Sequence, residues 1–189
     1  DQTKLTGKLF GGWVLSGVSQ MATGNPTSIA TSDDFAGVGP GSGSQLWIYS
    51  AIPQIKGQYS NNLATSPSVF DSTYWFYPLN ADGTAIFTKP AAGTISSQKG
   101  RGIIYTPGFQ NHNLRLNKEF VIKERHSIQV VWEAFNWLNH PNWNGPDTNP
   151  NNLVIDSVTK QYDLTKSTFG KVTSKGGNRE MQGAIRYSF

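Results

Sequence analysis

The clearest alternation of apolar and polar residues lies at the end of the chain, from Met181 to Phe189. One set of alternate positions is apolar, aromatic or glycine, and the set between them is mainly polar: Met181, Gly183, Ile185, Tyr187 and Phe189 against Gln182, Ala184, Arg186 and Ser188. A period of two is typical of a β-strand with one apolar face. Such a strand ending on an aromatic residue favours a transmembrane β-barrel, with lipid outside and a polar lumen inside.

The same pattern predicts three further strands and two long connections. The four strands are expected at about 9–23, 109–122, 126–138 and 181–189. The long connections are 24–107 and 139–179. A structureless loop as long as the first connection is improbable in a compact domain. We therefore expect that connection to have structure of its own or to contain an extra pair of strands.

The two central strands are predicted to form a hairpin around a short charged turn centred on Glu124. This register sets Leu116 opposite Trp132 on an apolar face. It sets Arg115 opposite Glu133 on the other face, where the two side chains have opposite charges. In a barrel the apolar face would meet lipid, so Arg115 and Glu133 are predicted to form a lumen-facing ion pair.

Loop length predicts how the strands are oriented in the membrane. Bacterial barrels have short periplasmic turns and long extracellular loops. The turn at 123–125 is therefore expected on the periplasmic side, and the connections 24–107 and 139–179 on the extracellular side. Phe189 would then lie at the periplasmic edge of the membrane.

Composition agrees with an all-β protein and excludes several functions. The chain has 20 Gly and 10 Pro, and only 15% of its residues are charged. The net charge of +4 is spread without a basic run, so no nucleic-acid partner is expected. Cysteine is absent, and no apolar run approaches the roughly 18 residues of a membrane helix. No signal peptide opens the chain, so an exported protein is expected to begin upstream of the first residue.

Several motifs follow one another along the chain. They are GGWVLSG at 11–17 with GNP at 24–26, TPGFQNHNL at 106–114, ERHSIQ at 124–129, EAFNWLNHPNW at 133–143, FGKVT at 169–173 and NREMQGAIRYSF at 178–189. They resemble GGWQLSGI…SGTPF, GPGFQNWDLSLFK, ER…LQFRAEAFNVFNHPNF and FGRIT…RQIQLGLRYSF of Oar-like TonB-dependent outer-membrane receptors. The chain departs from that pattern at His112, Asn113 and Val131, where the family usually has Trp, Asp and Arg.

The resemblance implies a location and a set of partners. The parent protein would lie in the bacterial outer membrane and import a scarce nutrient, energised from the inner membrane. No segment here resembles the plug, and a barrel of this class has about 22 strands, so the chain is expected to be the C-terminal part of a larger barrel. Expected partners are the remainder of the barrel and plug, outer-membrane lipid, and an unknown small-molecule or oligomer substrate. The barrel-insertion machinery would read the last strand, with Tyr187 and Phe189 as its signal.

Aromatic side chains in the predicted extracellular loops are candidates for ligand binding. They are Trp47, Tyr49, Trp75, Phe76, Tyr77 and Trp143. Aromatic rings bind sugars and flat ligands, but they can equally pack a large loop against itself, so both interpretations stay open. Trp132, Trp137 and Tyr187 are interpreted as part of the lipid-facing band and its aromatic girdles.

Other chemical interpretations have weaker support. His112, His126 and His140 lie on different elements without metal-ligand spacing, so a polar lumen or rim position is favoured. The glycine-rich run at 37–44 lacks the strand, helix and lysine of a phosphate-binding loop. The asparagine-rich segment 144–152 fits a plain turn better than a calcium loop. We therefore expect no catalytic site, cofactor or metal, and no enzymatic activity.

The main alternative is a secreted β-sandwich that binds carbohydrate through its loop aromatics, or a subunit of an extracellular assembly. A sandwich would pack the apolar strand faces against a second sheet, whereas a barrel would expose them to lipid. The side chains that distinguish the two are Leu116, Phe120, Trp132, Ile185 and Tyr187.

Overall fold

The structure is a computed structural model that describes residues 5–39, 45–55, 74–95, 101–123 and 125–189. These residues contain one short helix, α1 (Leu5–Phe10), a 3-10 turn at Pro150–Asn152, and strands throughout. The strands are β1 (Val14–Ala22), β2 (Pro26–Thr27), β3 (Ala30–Thr31), β4 (Gln45–Leu46), β5 (Ile48–Tyr49), β6 (Phe87–Thr88), β7 (Ile104–Tyr105), β8 (Phe109–Lys123), β9 (His126–Phe135), β10 (Asn142–Trp143), β11 (Lys175–Gly176) and β12 (Glu180–Ser188). The predicted all-β class with antiparallel strands is confirmed.

The chain divides into two compact units, which we call the strand unit and the loop unit. The strand unit comprises the described parts of Asp1–Thr23, Gly108–Asn142 and Lys175–Phe189. The loop unit comprises the described parts of Gly24–Pro107 and Trp143–Ser174. The loop unit therefore contains most of the two long connections.

The strand unit is built on one antiparallel sheet with the order β1-β8-β9-β12. β8 lies between β1 and β9, and β12 pairs with the other side of β9. Among the residues that the structure describes, β1 and β12 have no further partner strand, so the sheet is open at both edges. Open edges present rows of unpaired backbone N–H and C=O groups.

β8 and β9 pair in the register that the sequence predicts. Leu116 lies opposite Trp132, and Arg115 lies opposite Glu133. The predicted centre of the turn, Glu124, lies outside the described residues. A slip of one residue would move every side chain to the other face, so this register determines both faces of the sheet.

β1 is shorter than the predicted strand at 9–23, because the first of those residues belong to α1. The N–H of Gly11 donates to the carbonyl of Gly7 at 2.8 Å and closes the last turn of the helix. Gly12 follows with a φ of 74°, a left-handed conformation that glycine adopts without strain. This correction moves the start of the strand to Val14.

β9 ends earlier than the predicted strand at 126–138, and its last residue is Phe135. The next residue, Asn136, has a left-handed φ of 47°, which breaks the strand and which asparagine tolerates better than most residues. Its buried Nδ2 donates to the carbonyl of His140 at 2.9 Å and to that of Gly177. Asn136 thus ties the end of β9 to the segment that precedes β12.

The loop unit has a hydrophobic core of its own. Its centre is a trio of rings, with Phe76 and Phe87 from the first long connection and Phe169 from the second. The ring centroids lie 5.2, 5.6 and 6.2 Å apart, in edge-to-face contacts that add to the stabilisation from burial. The other buried members are Ile29, Phe35, Trp47, Ile55, Ile86 and Ile104. One core therefore holds both connections together.

We predict that Phe76→Ala destabilises the loop unit by about 3–5 kcal/mol, because it leaves a cavity between the two other rings of the trio. Hydrogen exchange measured by mass spectrometry should become faster in peptides from both 74–95 and 143–174. Val158→Ala is the control, because this side chain is 86% exposed in the same unit and should change little. Faster exchange in the first connection alone would contradict a shared core.

Candidate functional site

A row of polar side chains crosses the four long strands at one level of the sheet. The register aligns Ser16 on β1 with Arg115 on β8. It also aligns Glu133 on β9 with both Arg115 and Gln182. Nη1 of Arg115 lies 3.3 Å from Oε1 of Glu133, and Nε2 of Gln182 donates to Oε2 at 2.6 Å. Glu133 therefore links three strands through its two carboxylate oxygens.

The ion pair of this row is only partly shielded from water. The side chains of Arg115 and Glu133 are 46% and 24% exposed. Ion pairs of such exposure contribute about 0–1 kcal/mol, so this pair fixes geometry more than it stabilises the sheet. The bond from Gln182 is stronger than a neutral one because its acceptor is charged. That this row faces a lumen remains a prediction.

The two faces of the sheet differ in chemistry. Directly paired residues of an antiparallel sheet point to the same side, so the register assigns each side chain to a face. The face of Glu133, which we call the polar face, is mainly polar: Ser16, Gln20, Asn111, Asn113, Arg115, Asn117, Glu119, Gln129, Gln182, Arg186 and Ser188. The opposite face, which we call the apolar face, includes Leu15, Met21, Leu114, Leu116, Phe120, Ile128, Val130, Trp132, Met181, Ile185 and Tyr187.

The apolar face is largely uncovered. Of the side chains that distinguish a barrel from a sandwich, Trp132, Ile185 and Tyr187 are 38%, 77% and 54% exposed. Leu116 and Phe120 are half-buried. In the described part of the chain, every other sheet has only two strands, so no second layer of long strands packs here. An apolar surface of this extent fits contact with lipid rather than the interior of a sandwich.

Two polar residues on the apolar face are buried, and the sequence analysis did not predict this burial. His112, expected at a lumen or rim position, is 7% exposed, and its Nδ1 lies 2.9 Å from Oγ of Ser19 on the neighbouring strand. Lys118 is 3% exposed beneath α1. The signal for Lys118 is in the alternation itself, which sets this lysine between Leu116 and Phe120. A charge at an apolar position requires a partner.

Two of the six aromatic residues considered for ligand binding are core residues. Phe76 is 0% exposed and Trp47 is 9% exposed. Nε1 of Trp47 donates to Oγ1 of Thr31 at 2.9 Å, which satisfies its polar group inside the unit. For Phe76 and Trp47 the burial therefore favours packing of the loop, the second of the two interpretations that the sequence leaves open. The physical reason is that a loop unit of this size needs large buried side chains to exclude water.

The other four aromatic candidates retain accessible surface. Trp143 is 48% exposed. Tyr49 and Trp75 pack against the loop core from its side, and Nε1 of Trp75 donates to the carbonyl of Tyr105 at 2.6 Å. Tyr77 is half-buried, and this burial raises the pKa of its hydroxyl. Contact of these four rings with a ligand remains a prediction.

Carboxylates of the loop unit order its turns. Asp147 accepts hydrogen bonds from Nδ2 of Asn152 and Oγ1 of Thr168, both at 2.6 Å. The hydroxyl of Thr165 and then the Lys166 side chain hold the pKa of Asp163 well below its usual range. These carboxylates are satisfied by donors of the protein itself. Within the described ranges there is no group of three or more side chains of the types that bind metal ions.

The C-terminal aromatic residues stack on one another. The rings of Tyr187 and Phe189 have centroids 6.0 Å apart and an interplanar angle of 29°. Tyr187 also stacks on His126, and its hydroxyl lies 2.6 Å from Nδ1 of that residue. Phe189 is nevertheless 90% exposed and accessible to a partner. Recognition of this pair by the insertion machinery remains a prediction.

A two-faced antiparallel sheet with an exposed apolar side fits the wall of a membrane β-barrel. Comparison with known families agrees, because the family model described as outer membrane beta barrel domain matches residues 1–182. The chain belongs to this family and is a protein of the bacterial outer membrane. No curated protein and no solved structure gives a significant match. The described residues include no helix that is both long and apolar enough to cross a bilayer.

We predict that Arg115→Gln and Glu133→Gln show a coupling energy of up to about 1 kcal/mol in a double-mutant cycle. Glu133→Ala should cost more than Arg115→Ala, because it also removes the acceptor of the Gln182 bond. The measurement is the free energy of unfolding in urea in the presence of lipid vesicles. Arg186→Gln, on the same face, is the control for loss of charge. Equal costs for the two alanine variants, with no coupling, would show that the row does not act as a network.

Proposed function

We propose that the chain forms the C-terminal wall segment of an Oar-like TonB-dependent receptor, and that its loop unit helps to capture a nutrient outside the cell. The single observation that carries the proposal is a folded loop unit built from both long connections of a barrel segment. Its support from sequence is the resemblance at 106–114, 133–143 and 178–189. The role is transport, and we propose no catalytic step.

The open edges of the sheet support a wall that continues beyond these strands. In a bilayer, an unpaired backbone N–H or C=O group costs several kcal/mol, so spanning sheets close into barrels. β1 and β12 each present such an edge among the described residues. We propose that further strands of the same parent barrel pair with both edges. The plug would lie against the polar face, and outer-membrane lipid against the apolar face.

The shared loop core supports the orientation of the strands. Phe169 from the second connection packs against Phe76 and Phe87 from the first. Two connections that share one core must lie on the same side of any membrane that the strands cross. Since long loops of bacterial barrels are extracellular, we propose that the loop unit faces the outside and the hairpin turn the periplasm.

The ligand-capture role is assigned to the accessible aromatics of the loop unit. Trp143 is 48% exposed, and Trp75 is only partly buried against the loop core. Both indole rings therefore retain accessible surface. Rings of this kind bind sugars, macrocycles and other flat apolar surfaces. We propose a small molecule or oligomer of that chemistry as the ligand, taken up with energy transmitted through the plug.

Energy dependence is the first test of the proposed function. Cells that express the protein should take up a ligand from a panel of ferric siderophores, cobalamin and oligosaccharides. Dissipation of the inner-membrane proton gradient or depletion of TonB should abolish that uptake without changing the amount of protein in the outer membrane. Uptake that continues unchanged would instead identify a passive pore.

The aromatic rings are tested with the ligand found in that panel. We predict that Trp143→Ala or Trp75→Ala weakens binding about tenfold, the effect of losing an aromatic contact of roughly 1.5 kcal/mol. Val158→Ala, an exposed apolar residue of the same unit, should leave binding unchanged. Equal affinity for all three variants would remove these two rings from the ligand site.

A further inference from the structure

Lys118 is a buried lysine on the apolar face of the sheet. It lies on β8 between Leu116 and Phe120, on the same face as both, and its side chain is 3% exposed. A charge facing lipid is costly unless it is paired with protein groups or reaches the membrane boundary. Whatever covers Lys118 therefore occupies the side of the sheet that faces lipid.

The cover is α1 and the turn that follows it. Nζ of Lys118 donates to the carbonyl of Leu9 at 2.9 Å, to that of Gly11 at 2.6 Å, and to that of Lys8. These carbonyls belong to the end of the helix, where backbone acceptors have no partner within the helix. The three donors of the ammonium group thus satisfy the end of α1, and α1 in turn shields the charge.

Aromatic rings complete the environment of this ammonium group. Nζ lies 4.7 Å from the centroid of Phe120 and 5.5 Å from that of Trp13. A cation over a ring face is attracted by the ring quadrupole, most strongly where water is excluded. Lys118 therefore clamps the segment from α1 to Trp13 onto the apolar face.

The outer surface of the clamped segment is apolar. Leu9, Phe10 and Trp13 are 48%, 80% and 41% exposed. Nε1 of Trp13 donates to the carbonyl of Leu9 at 3.1 Å, so its polar group is satisfied within the segment. These side chains continue the lipid-facing surface of the sheet. The segment immediately precedes β1, whose first residue, Val14, pairs with Asn117 near the middle of β8.

We propose that Leu5–Trp13 is a membrane-interface anchor, held by Lys118 and seated in the lipid leaflet where the chain enters β1. Phe10 enters the boundary between headgroups and acyl chains, where short apolar and aromatic segments bind bilayers, and Trp13 lies at headgroup level. The occupant of this surface is phospholipid. The argument for it is the continuity of the segment with the apolar face, and it does not depend on the proposed transport role.

Site-directed labelling tests the position of the anchor. The chain has no cysteine, so Phe10→Cys and Ser16→Cys each introduce one attachment site for a nitroxide label. The labelled protein is placed in phosphatidylethanolamine–phosphatidylglycerol vesicles, and collisions with oxygen and with a water-soluble nickel chelate are measured. The label at Phe10 should favour oxygen, as groups in lipid do, and the label at Ser16, on the polar face, should favour nickel. An equal preference for nickel at both positions would overturn the proposal.

The clamp is tested in the Phe10-labelled protein. Lys118→Met keeps the length of the side chain but removes its donors, so the label should become more mobile and lose its preference for oxygen. Lys175→Met, a matched change at an exposed lysine of the same unit outside the anchor, should leave the label unchanged. Lys118→Arg retains a cation and donors and serves if the methionine variant does not fold. It should preserve the preference for oxygen. A label that stays in lipid in Lys118→Met would show that the lysine does not hold the anchor.

Discussion

The register of β8 against β9 is the constraint on which the rest of the strand unit depends. Because side chains alternate along a strand, one choice of register assigns every residue of four strands to a face. Arg115 opposite Glu133 and Leu116 opposite Trp132 give one polar side and one apolar side. A sheet with these two faces can span a bilayer only if it is closed, because the backbone N–H and C=O groups at an open edge find no water to pair with in lipid. The family membership agrees with this requirement.

The loop unit adds a second constraint on topology. Its three central rings come from connections that are far apart in the sequence, so each connection completes the core of the other. This packing explains why so many aromatic residues lie outside the long strands, and it separates core rings such as Phe76 from accessible ones such as Trp143.

The alternation of apolar and polar residues predicted most of the strand unit. It could not predict contacts between residues that are distant in the sequence. The alternation around Arg115 and Glu133 was sufficient for the register, because the partners lie on either side of one short turn. The packing of Phe169 on Phe76 joins two loops and leaves no periodic signal. Helix α1 is too short to show a helical period, and its terminal glycines fit several turns. The partners of Lys118 are carbonyls of that helix and the turn after it. Because the helix was not predicted, the alternation showed a lysine on an apolar face but not what binds it.

The most direct test of the account is a cysteine scan along β12 in native outer membranes. Single replacements at Ile185, Arg186, Tyr187 and Ser188 would each be treated with a water-soluble and a lipid-soluble maleimide. The account predicts alternation, with the lipid-soluble reagent favoured at Ile185 and Tyr187 and the water-soluble reagent favoured at Arg186 and Ser188. Reaction with the water-soluble reagent at all four positions, or at none of them, would contradict a wall with lipid on one side and an aqueous lumen on the other.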